Sequence, residues 1–195
     1  MWVDWLLTFA LAYLLGSVPF GLLLTRAAGL GDVRQIGSGS IGATNVLRTG
    51  NKALAAATVL LDAGKGVAAV LIAAHLWPGS EGLAAVGAVV GHCFPVWLRF
   101  QGGKGFATAA GVLLALHWPA FLVCAAIWAA CVALFRISSV ASLVAVTAAP
   151  LVAFAMGRDI VLTMVAIAVI VWFKHRANIG RLMRGEEPRI GAKKG

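Results

Sequence analysis

Long apolar stretches are the feature of this sequence that most restricts the folds open to it. Apolar runs of about 20 residues, the length that a helix needs to cross a bilayer, recur along the chain between short polar segments. Only 12% of the residues are charged, about half the fraction found in soluble domains, and no segment shows the alternating pattern of a membrane β-barrel. The sequence therefore predicts an all-α integral membrane protein, with residues 1–195 forming a single domain.

Seven transmembrane helices are predicted. The stretch at residues 106–135 is assigned to two of them, because one helix of that length would extend about 45 Å across a hydrocarbon core of about 30 Å. Pro119 supports the division, since proline breaks the interior of a helix. Gly16, Pro19 and Gly21 are expected to bend the first span, which neighbouring helices can accommodate. The seven spans are residues 2–25, 53–77, 82–98, 106–116, 119–135, 140–156 and 160–173.

Positive charge falls on one side of this arrangement when the N-terminus is placed outside and the C-terminus in the cytoplasm. Of the 16 Lys and Arg residues, all but Arg158, outside, and Lys65, within the second span, lie on the inner side. This asymmetry follows the positive-inside rule. It explains the net charge of +9 without nucleic-acid binding, and the same face would attract anionic lipids and phosphorylated substrates. The outer ends carry Asp4, Glu81 and Asp159.

The first cytoplasmic segment contains a glycine-rich loop at residues 37–48, which reads GSGSIGATNVLR. Its glycines allow tight turns and close approach of a ligand, and its N–H groups can form an anion nest. The G-x-G-x-x-G pattern lacks the strand of a dinucleotide fold and the lysine of a P-loop. A general anion-binding loop and a ligand-free interfacial loop both stay open. The candidate binding residues are Gly37, Ser38, Gly39, Ser40, Gly42, Thr44, Asn45 and Arg48.

The second segment places Lys104 among Gly102, Gly103 and Gly105, directly before the fourth span. A helix N-terminus supplies N–H donors and a partial positive charge, which suit a phosphate group. The alternative is a lysine that extends from a membrane boundary into water, with the glycines forming a turn. Two glycine-rich basic loops on the same face favour the phosphate-binding interpretation.

The third segment, residues 174–187, follows the last span. If that span continues as a helix, His175, Asn178 and Arg181 share a broad face and can point at the same ligand. Taken without the other two segments, this one is better explained as an ordinary basic juxtamembrane tail. Gly185 and Glu187 complete it.

Asp62 and Lys65 lie three residues apart within the second span. Charges inside a membrane are costly and are candidates for function, but a mutually neutralised structural pair explains them equally well. A metal site is not predicted, because the chain has only seven carboxylates and none are paired at ligand spacing in a polar loop.

Together, the three segments resemble the integral-membrane glycerol-3-phosphate acyltransferases that use acyl phosphate, the PlsY family. That family carries a G-S-G-N-x-G-x-T-N-x-x-R loop, a G-H-x-F-P…G-G-K-G-x-A-T loop and an H-x-x-N-I-x-R…G-x-E tail. All three occur here in that order. One departure is Ser40, at a position where the family usually has Asn.

The resemblance implies an enzyme that transfers a fatty acyl group from acyl phosphate to the sn-1 hydroxyl of glycerol 3-phosphate. The products would be lysophosphatidic acid and phosphate, in the first step of phospholipid synthesis. It further implies a bacterial inner-membrane protein with a cytoplasmic active site, in contact with membrane lipid, and no cofactor, nucleic acid or obligate protein partner. By motif position, the implied catalytic residues are Ser38, Arg48, Lys104, His175 and Asn178.

The implied chemistry requires no protein nucleophile, because an acyl phosphate is already activated. The protein must orient and neutralise two anions, and the substrate's own phosphate is expected to accept the hydroxyl proton, with His175 as the alternative base. A small membrane transporter of phosphate or of a phosphorylated organic anion is the alternative function. Asp62 and Lys65 favour it, whereas the lack of internal repeats and the one-sided polar loops disfavour it.

Overall fold

The computed structural model describes residues 2–191, and every regular element in that range is helical. The predicted all-α class is therefore confirmed. Three short 3₁₀ turns are present: Val33–Gln35 and Leu47–Thr49 lie in the first polar segment, and Val96–Leu98 ends the third predicted span. The α-helices are α1 (Trp2–Gly16), α2 (Phe20–Ala27), α3 (Ala43–Val46), α4 (Lys52–Leu76), α5 (Glu81–Cys93), α6 (Phe106–Leu116), α7 (Trp118–Phe135), α8 (Ser138–Ala155), α9 (Val161–Lys174) and α10 (Arg176–Met183).

Five helical segments within residues 2–191 are long and apolar enough to cross a membrane. A sixth is added if α9 and α10, which are bent by 60°, count as one span, whereas α6 is shorter, with 11 residues. The count of seven spans and the orientation of the termini stay predictions. The five segments are Trp2–Ala27, Lys52–Leu76, Glu81–Leu98, Trp118–Phe135 and Ser138–Ala155.

The predicted interruption near Pro119 is confirmed. Helix α6 ends at Leu116 and α7 begins at Trp118. His117 caps α7, because its Nδ1 accepts a hydrogen bond from the Ala120 N–H at 3.2 Å. Pro119 lies in the first turn, where its missing N–H has no partner to lose.

The chain forms two compact units that divide between Leu116 and His117. In the first unit, α1 packs on α5 and α4 packs on α6; in the second, α8 packs on both α7 and α9. Glycine permits the closest of these contacts: a Cβ atom at Gly16 would overlap the backbone of Ala88, and one at Gly91 would overlap the Tyr13 carbonyl. Small residues allow membrane helices such close backbone approach. The single-domain assignment stays a prediction.

The predicted bend in the first span is also confirmed, since α1 ends at Gly16 and α2 begins at Phe20. A break in a membrane helix leaves carbonyl groups that need new partners. The Ser17 carbonyl accepts a hydrogen bond from Trp97 Nε1, and the Val18 carbonyl accepts one from Lys65 Nζ, both at 2.8 Å. Side chains from elsewhere in the first unit thus stabilise the break.

Candidate functional site

Asn45 organises the first glycine-rich loop. Its side chain is buried, with 1% of the residue exposed. The amide nitrogen Nδ2 donates to the carbonyls of Val33, Ile36 and Ser40 at 2.7, 3.1 and 2.8 Å, and Oδ1 accepts from the Ser38 N–H at 3.1 Å. Both ends of this amide are therefore engaged within the loop itself.

Gly37 and Arg48 both lie next to the side-chain oxygen of Asn45. Arg48 Nη1 donates to Asn45 Oδ1 at 3.4 Å, so Arg48 and the Ser38 N–H share one acceptor. Gly37 has a φ of +55°, and a Cβ atom there would overlap both the Arg48 guanidinium and Asn45 Oδ1. Glycine is required at this position for its left-handed backbone and for space. The loop thereby brings Ser38 and Arg48, two predicted site residues, to the same acceptor.

Other polar groups of the first loop are used internally. The Gly39 N–H donates to the Ile36 carbonyl at 3.0 Å. The Gly42 N–H donates to Ser40 Oγ at 3.3 Å. Ser40, the departure from the family pattern, therefore contributes to a local turn through its hydroxyl. Some of the N–H groups that were predicted to bind an anion therefore donate to acceptors within the loop instead.

Asp32 stabilises the chain just before this loop. It caps the Val33–Gln35 turn by accepting from the Arg34 N–H at 3.0 Å, and it accepts from Arg34 Nε at 2.9 Å and Arg26 Nη2 at 2.8 Å. The hydrogen bonds from the Arg34 side chain, above all, hold the pKa of the Asp32 carboxyl well below its usual range. The same contact raises the pKa of the Arg34 guanidinium.

The second glycine-rich loop folds back onto the end of α5. The Gly102 N–H donates to the Cys93 carbonyl at 3.2 Å, and the Gly103 N–H donates to the His92 carbonyl at 3.0 Å. A Cβ atom at Gly103 would overlap Nε2 of the His92 imidazole. These two N–H groups, which were predicted to donate to a phosphate, thus donate to carbonyls at the end of α5. Lys104 is half-buried and lies two residues before α6 begins.

The two loops are linked by a common apolar cluster in the first unit. Leu98, from the turn that precedes the second loop, packs against this cluster. The first loop and its flanking turn supply three of its members, so the two loops lie at the same end of the unit. The buried residues of the cluster are Leu22, Val33, Ile41, Val46 and Ala55.

Asp62 and Lys65 form a buried ion pair behind these loops. Their side chains are each 3% exposed, and Lys65 Nζ lies 2.7 Å from Asp62 Oδ1. His92 Nδ1 lies 3.5 Å from the same carboxylate oxygen. Lys65 also donates to the Val18 carbonyl. Asp62 and Lys65 therefore connect the break of the first span, at Val18, to His92, on which the second loop rests.

The third segment does not continue as one helix. Helix α9 ends at Lys174, His175 joins it to α10, and the axis turns by 60°. The condition on which the shared face was inferred, an unbroken helix, is therefore not met, because the backbone bends at His175. His175 is buried, with Nδ1 2.8 Å from the Val171 carbonyl. A neutral imidazole that donates from Nδ1 to this carbonyl carries its acceptor lone pair on Nε2.

Glu187 ties the third segment together. Its carboxylate accepts hydrogen bonds from Asn178 Nδ2 at 2.5 Å, Ser139 Oγ at 2.7 Å and Arg181 Nε at 2.7 Å. Burial alone would raise the pKa of Glu187, but these three hydrogen bonds and the Arg181 charge outweigh it and hold the pKa below its usual value. Gly185, at a φ of +70°, ends α10 in the turn that returns the chain to this cluster.

The amino-acid sequence was compared with those of known protein families and of individual proteins. The sequence model of a family described as glycerol-3-phosphate acyltransferase matches residues 6–185. The chain belongs to the glycerol-3-phosphate acyltransferase family. A relative of that name from Mesorhizobium japonicum is 59% identical over 189 residues, which cover 96% of this chain and 97% of the relative. Another from Erythrobacter litoralis is 59% identical, covering 94% and 93%.

Solved structures of the glycerol-3-phosphate acyltransferase family share this fold. One is the crystal structure of PlsY, an integral membrane glycerol 3-phosphate acyltransferase, in its glycerol 3-phosphate form. It superposes with a TM-score of 0.91 at 35% identity, with 96% of each chain covered. The lysophosphatidic acid form gives 0.89 at 34%, with 96% of this chain and 95% of that chain covered. The family assignment made from the three motifs is confirmed.

Sequence reasoning missed three roles in this glycerol-3-phosphate acyltransferase. Asn45 holds the first loop together, Asp32 anchors its entry, and His92 lies beneath Gly103. An Asn or Asp beside a glycine-rich loop is a local signal for turn-forming hydrogen bonds, which would have indicated Asn45 and Asp32. The role of His92 depends on a contact across a turn that has no such signal. Among residues 2–191, no three His, Cys, Asp or Glu side chains group as metal ligands.

Proposed function

We propose that this chain, a glycerol-3-phosphate acyltransferase, transfers a fatty acyl group from acyl phosphate to the sn-1 hydroxyl of glycerol 3-phosphate. The observation that carries the proposal is the family match over residues 6–185. The similar solved protein was obtained in glycerol 3-phosphate and lysophosphatidic acid forms, which are the acceptor and the product of such a transfer. The expected setting is a bacterial inner membrane, with seven spans and the reaction at the cytoplasmic face.

The protein's task in this reaction is to hold two anions close together. Both substrates carry phosphate groups that repel each other, so the barrier falls when fixed positive charges and donors neutralise them in the reactive arrangement. We assign this role to Arg48 and Lys104, with Ser38 as a hydroxyl donor beside Arg48. Leu98, which precedes the loop of Lys104, packs against the apolar cluster to which the loop of Arg48 contributes, and this supports the assignment.

Several predicted ligands are assigned a positioning role instead. The Asn45 amide and the Gly102 and Gly103 N–H groups are engaged with neighbouring backbone. We therefore assign these three residues to the shape of the loops. Gly39 and Gly42, whose N–H groups are also engaged within the first loop, are assigned the same role. Thr44 and Gly105 complete the two loops as candidate contacts of the phosphate groups.

The hydroxyl proton of glycerol 3-phosphate is proposed to pass to a phosphate oxygen of the substrates. No carboxylate is needed for this step, since the phosphate is itself a base adjacent to the reacting hydroxyl. His175 is the alternative base, because Nε2 carries its lone pair when Nδ1 donates to Val171. In that case, replacing His175 with Ala would remove a titration from the pH–rate profile; a profile of unchanged shape assigns the proton to the phosphate.

The third segment is proposed to bind substrate on the same side of the membrane as the first two. His175, Asn178 and Arg181 would then face the acyl phosphate or the acceptor, with Glu187 holding Asn178 and Arg181 in place. Labelling of single introduced cysteines tests the side of the membrane. Cysteines near residues 40, 101 and 188 should all react with a membrane-impermeant thiol reagent from the cytoplasmic side only. Reaction of the third from the opposite side would contradict the proposal.

Turnover in detergent tests the function itself. Purified protein with palmitoyl phosphate and glycerol 3-phosphate should release inorganic phosphate, with lysophosphatidic acid as the second product. A transporter would give no turnover without a sealed membrane. Arg48→Ala and Lys104→Ala should lose activity by about 100-fold or more, as when a fixed donor to a developing charge is removed.

Two exposed residues of the same types serve as controls for these substitutions. Arg158 and Lys52 are both exposed, and neither belongs to the proposed site. Arg158→Ala and Lys52→Ala should retain wild-type turnover. Equal losses in the control variants would mean that the effects of Arg48→Ala and Lys104→Ala are not specific to the site.

A further inference from the structure

We propose that the buried cluster of Asp62, Lys65 and His92 positions the loop that carries Lys104. The inference rests on the proposed acyltransferase function and gives a role in the reaction to three buried side chains that the proposed function leaves without one. Through this cluster, the break in the first span and the second glycine-rich loop are held in one fixed arrangement.

The loop rests directly on His92. The Gly103 N–H donates to the His92 carbonyl at 3.0 Å, and the adjacent Gly102 N–H donates to the Cys93 carbonyl. The His92 ring occupies the space that a side chain at residue 103 would need, since a Cβ atom at Gly103 would overlap Nε2 of the ring. The position of the ring therefore determines how deeply the loop can settle, and Lys104 is the next residue.

The His92 ring in turn lies beside Asp62. Nδ1 of His92 lies 3.5 Å from Asp62 Oδ1, and Lys65 Nζ lies 2.7 Å from the same oxygen. Lys65 also donates to the Val18 carbonyl at 2.8 Å. All three side chains are 3% exposed. Charges at such depth are retained only with close partners, so a shift of one member disturbs the others.

Stability alone does not account for this cluster. A buried ion pair is often no more stabilising than apolar residues of similar size, because removing the charges from water is costly. Hydrogen bonds and ion pairs are directional, so the cluster can fix the orientation of its side chains in a way that apolar packing does not. When a catalytic group is displaced by about 1 Å, the reaction rate can fall by about 100-fold. We therefore expect the fixed orientation of the cluster to matter for the placement of the Lys104 charge.

Amide hydrogen exchange tests whether the loop depends on His92. In His92→Asn, the peptide spanning residues 99–106 should exchange faster than in the wild type, because the loop loses the ring on which Gly103 rests, and the Gly102 and Gly103 N–H groups are then held less firmly on their backbone acceptors. Peptides from α7 and α8, in the second unit, serve as the internal reference and should exchange as in the wild type. The matched control is His75→Asn, an exposed histidine at the far end of α4, which should change neither.

Kinetics on the same variants connect the loop to the reaction. His92→Asn should lower kcat/KM by about 10-fold to 100-fold, the effect of a misplaced catalytic group, while His75→Asn keeps the wild-type value. His92→Gln serves as a second variant if His92→Asn does not fold. Wild-type exchange of the loop together with wild-type kcat/KM in a folded His92 variant would overturn the proposal.

A steric exchange gives a readout that general destabilisation would not produce. Gly103→Ala should lower kcat/KM, because its Cβ displaces the loop from the His92 ring. Adding His92→Ala removes the ring and makes room, so Gly103→Ala should cost much less in the His92→Ala background than in the wild type. Equal costs in both backgrounds would mean that Gly103 and His92 act independently, which would contradict the proposal.

These measurements separate the positioning role from the proposed function. If the wild-type protein releases no phosphate from acyl phosphate and glycerol 3-phosphate in detergent, the proposed function fails, and hydrogen exchange still decides whether His92 holds the loop. If the wild type is active and the loop is unaffected by His92 substitution, only the positioning role fails.

Discussion

Asn178 donates its Nδ2 to Oε1 of Glu187 across 2.5 Å, nine residues along the chain and beyond the end of α10. Ser139 and Arg181 donate to the same carboxylate. Asn178 Oδ1 is buried and has no hydrogen-bond partner among residues 2–191. The carboxylate therefore orients the amide so that its acceptor oxygen is presented away from Glu187, which makes Glu187 a support for a proposed catalytic residue.

Glu187→Gln is expected to destabilise the second unit by about 2 kcal/mol, the scale of a hydrogen bond to a charged group. The Glu187 side chain is 7% exposed, so solvent replaces little of the lost interaction. Thermal unfolding in detergent measures the change. The control is Glu186→Gln, because Glu186 pairs with Arg184 at the surface; a similar loss in that variant would contradict a specific role for Glu187.

Stability should fall at acid pH partly through Glu187. Its folded-state pKa lies below the ordinary value of 4.5, so the folded protein holds the carboxylate more strongly than the unfolded chain does. That contribution is complete above pH 4.5 and is lost as the pH falls through the lower folded-state pKa. Melting temperatures measured across this range should decline less steeply for Glu187→Gln. Parallel curves for the two proteins would exclude this contribution.

Asn45→Ala is expected to disorganise the first loop. Three backbone carbonyls and the Ser38 N–H lose their partner, at a cost of about 1–3 kcal/mol for each buried group left unsatisfied. Activity should fall with stability, because Ser38 and Arg48 share the Asn45 oxygen.

Asn51 provides the matched comparison for Asn45. Its side chain caps α4 by accepting from the Leu54 N–H at 3.0 Å, and the loss of a helix cap costs about 1 kcal/mol. Asn51→Ala should therefore lower the melting temperature while kcat/KM stays at the wild-type value. A wild-type kcat/KM for Asn45→Ala would show that loop organisation is not needed for turnover.

Gly37→Ala is expected to abolish most of the activity, since its Cβ would displace the Arg48 guanidinium. Gly50 offers a control with the same type of backbone strain: its φ is +86°, but no atom lies within 4 Å of a Cβ built there. Both substitutions should destabilise by about 1–3 kcal/mol because of the left-handed backbone. Only Gly37→Ala should also lower kcat/KM for glycerol 3-phosphate; equal kinetics would show that the overlap with Arg48 has no consequence for the reaction.

The parts of the fold that depend on local sequence could be predicted. Apolar runs indicated the helices, Pro119 indicated the division between α6 and α7, and Pro19 indicated the break between α1 and α2. These features follow from the length needed to cross a bilayer and from the geometry of proline. The 60° bend at His175 was not predicted, because no proline or glycine marks that position.

The amino-acid sequence by itself determined the helical class, the family and the three motifs, because hydrophobic length and motif spacing are properties of neighbouring residues. Only the tertiary structure decided how the polar groups of the motifs are used. It showed that the Asn45 amide is engaged inside its loop and that Gly103 rests on His92. It also showed that Asp62 and Lys65 form a buried pair. The physical reason is that a hydrogen-bond donor or a charge finds its partner in space, across helices that are distant in sequence.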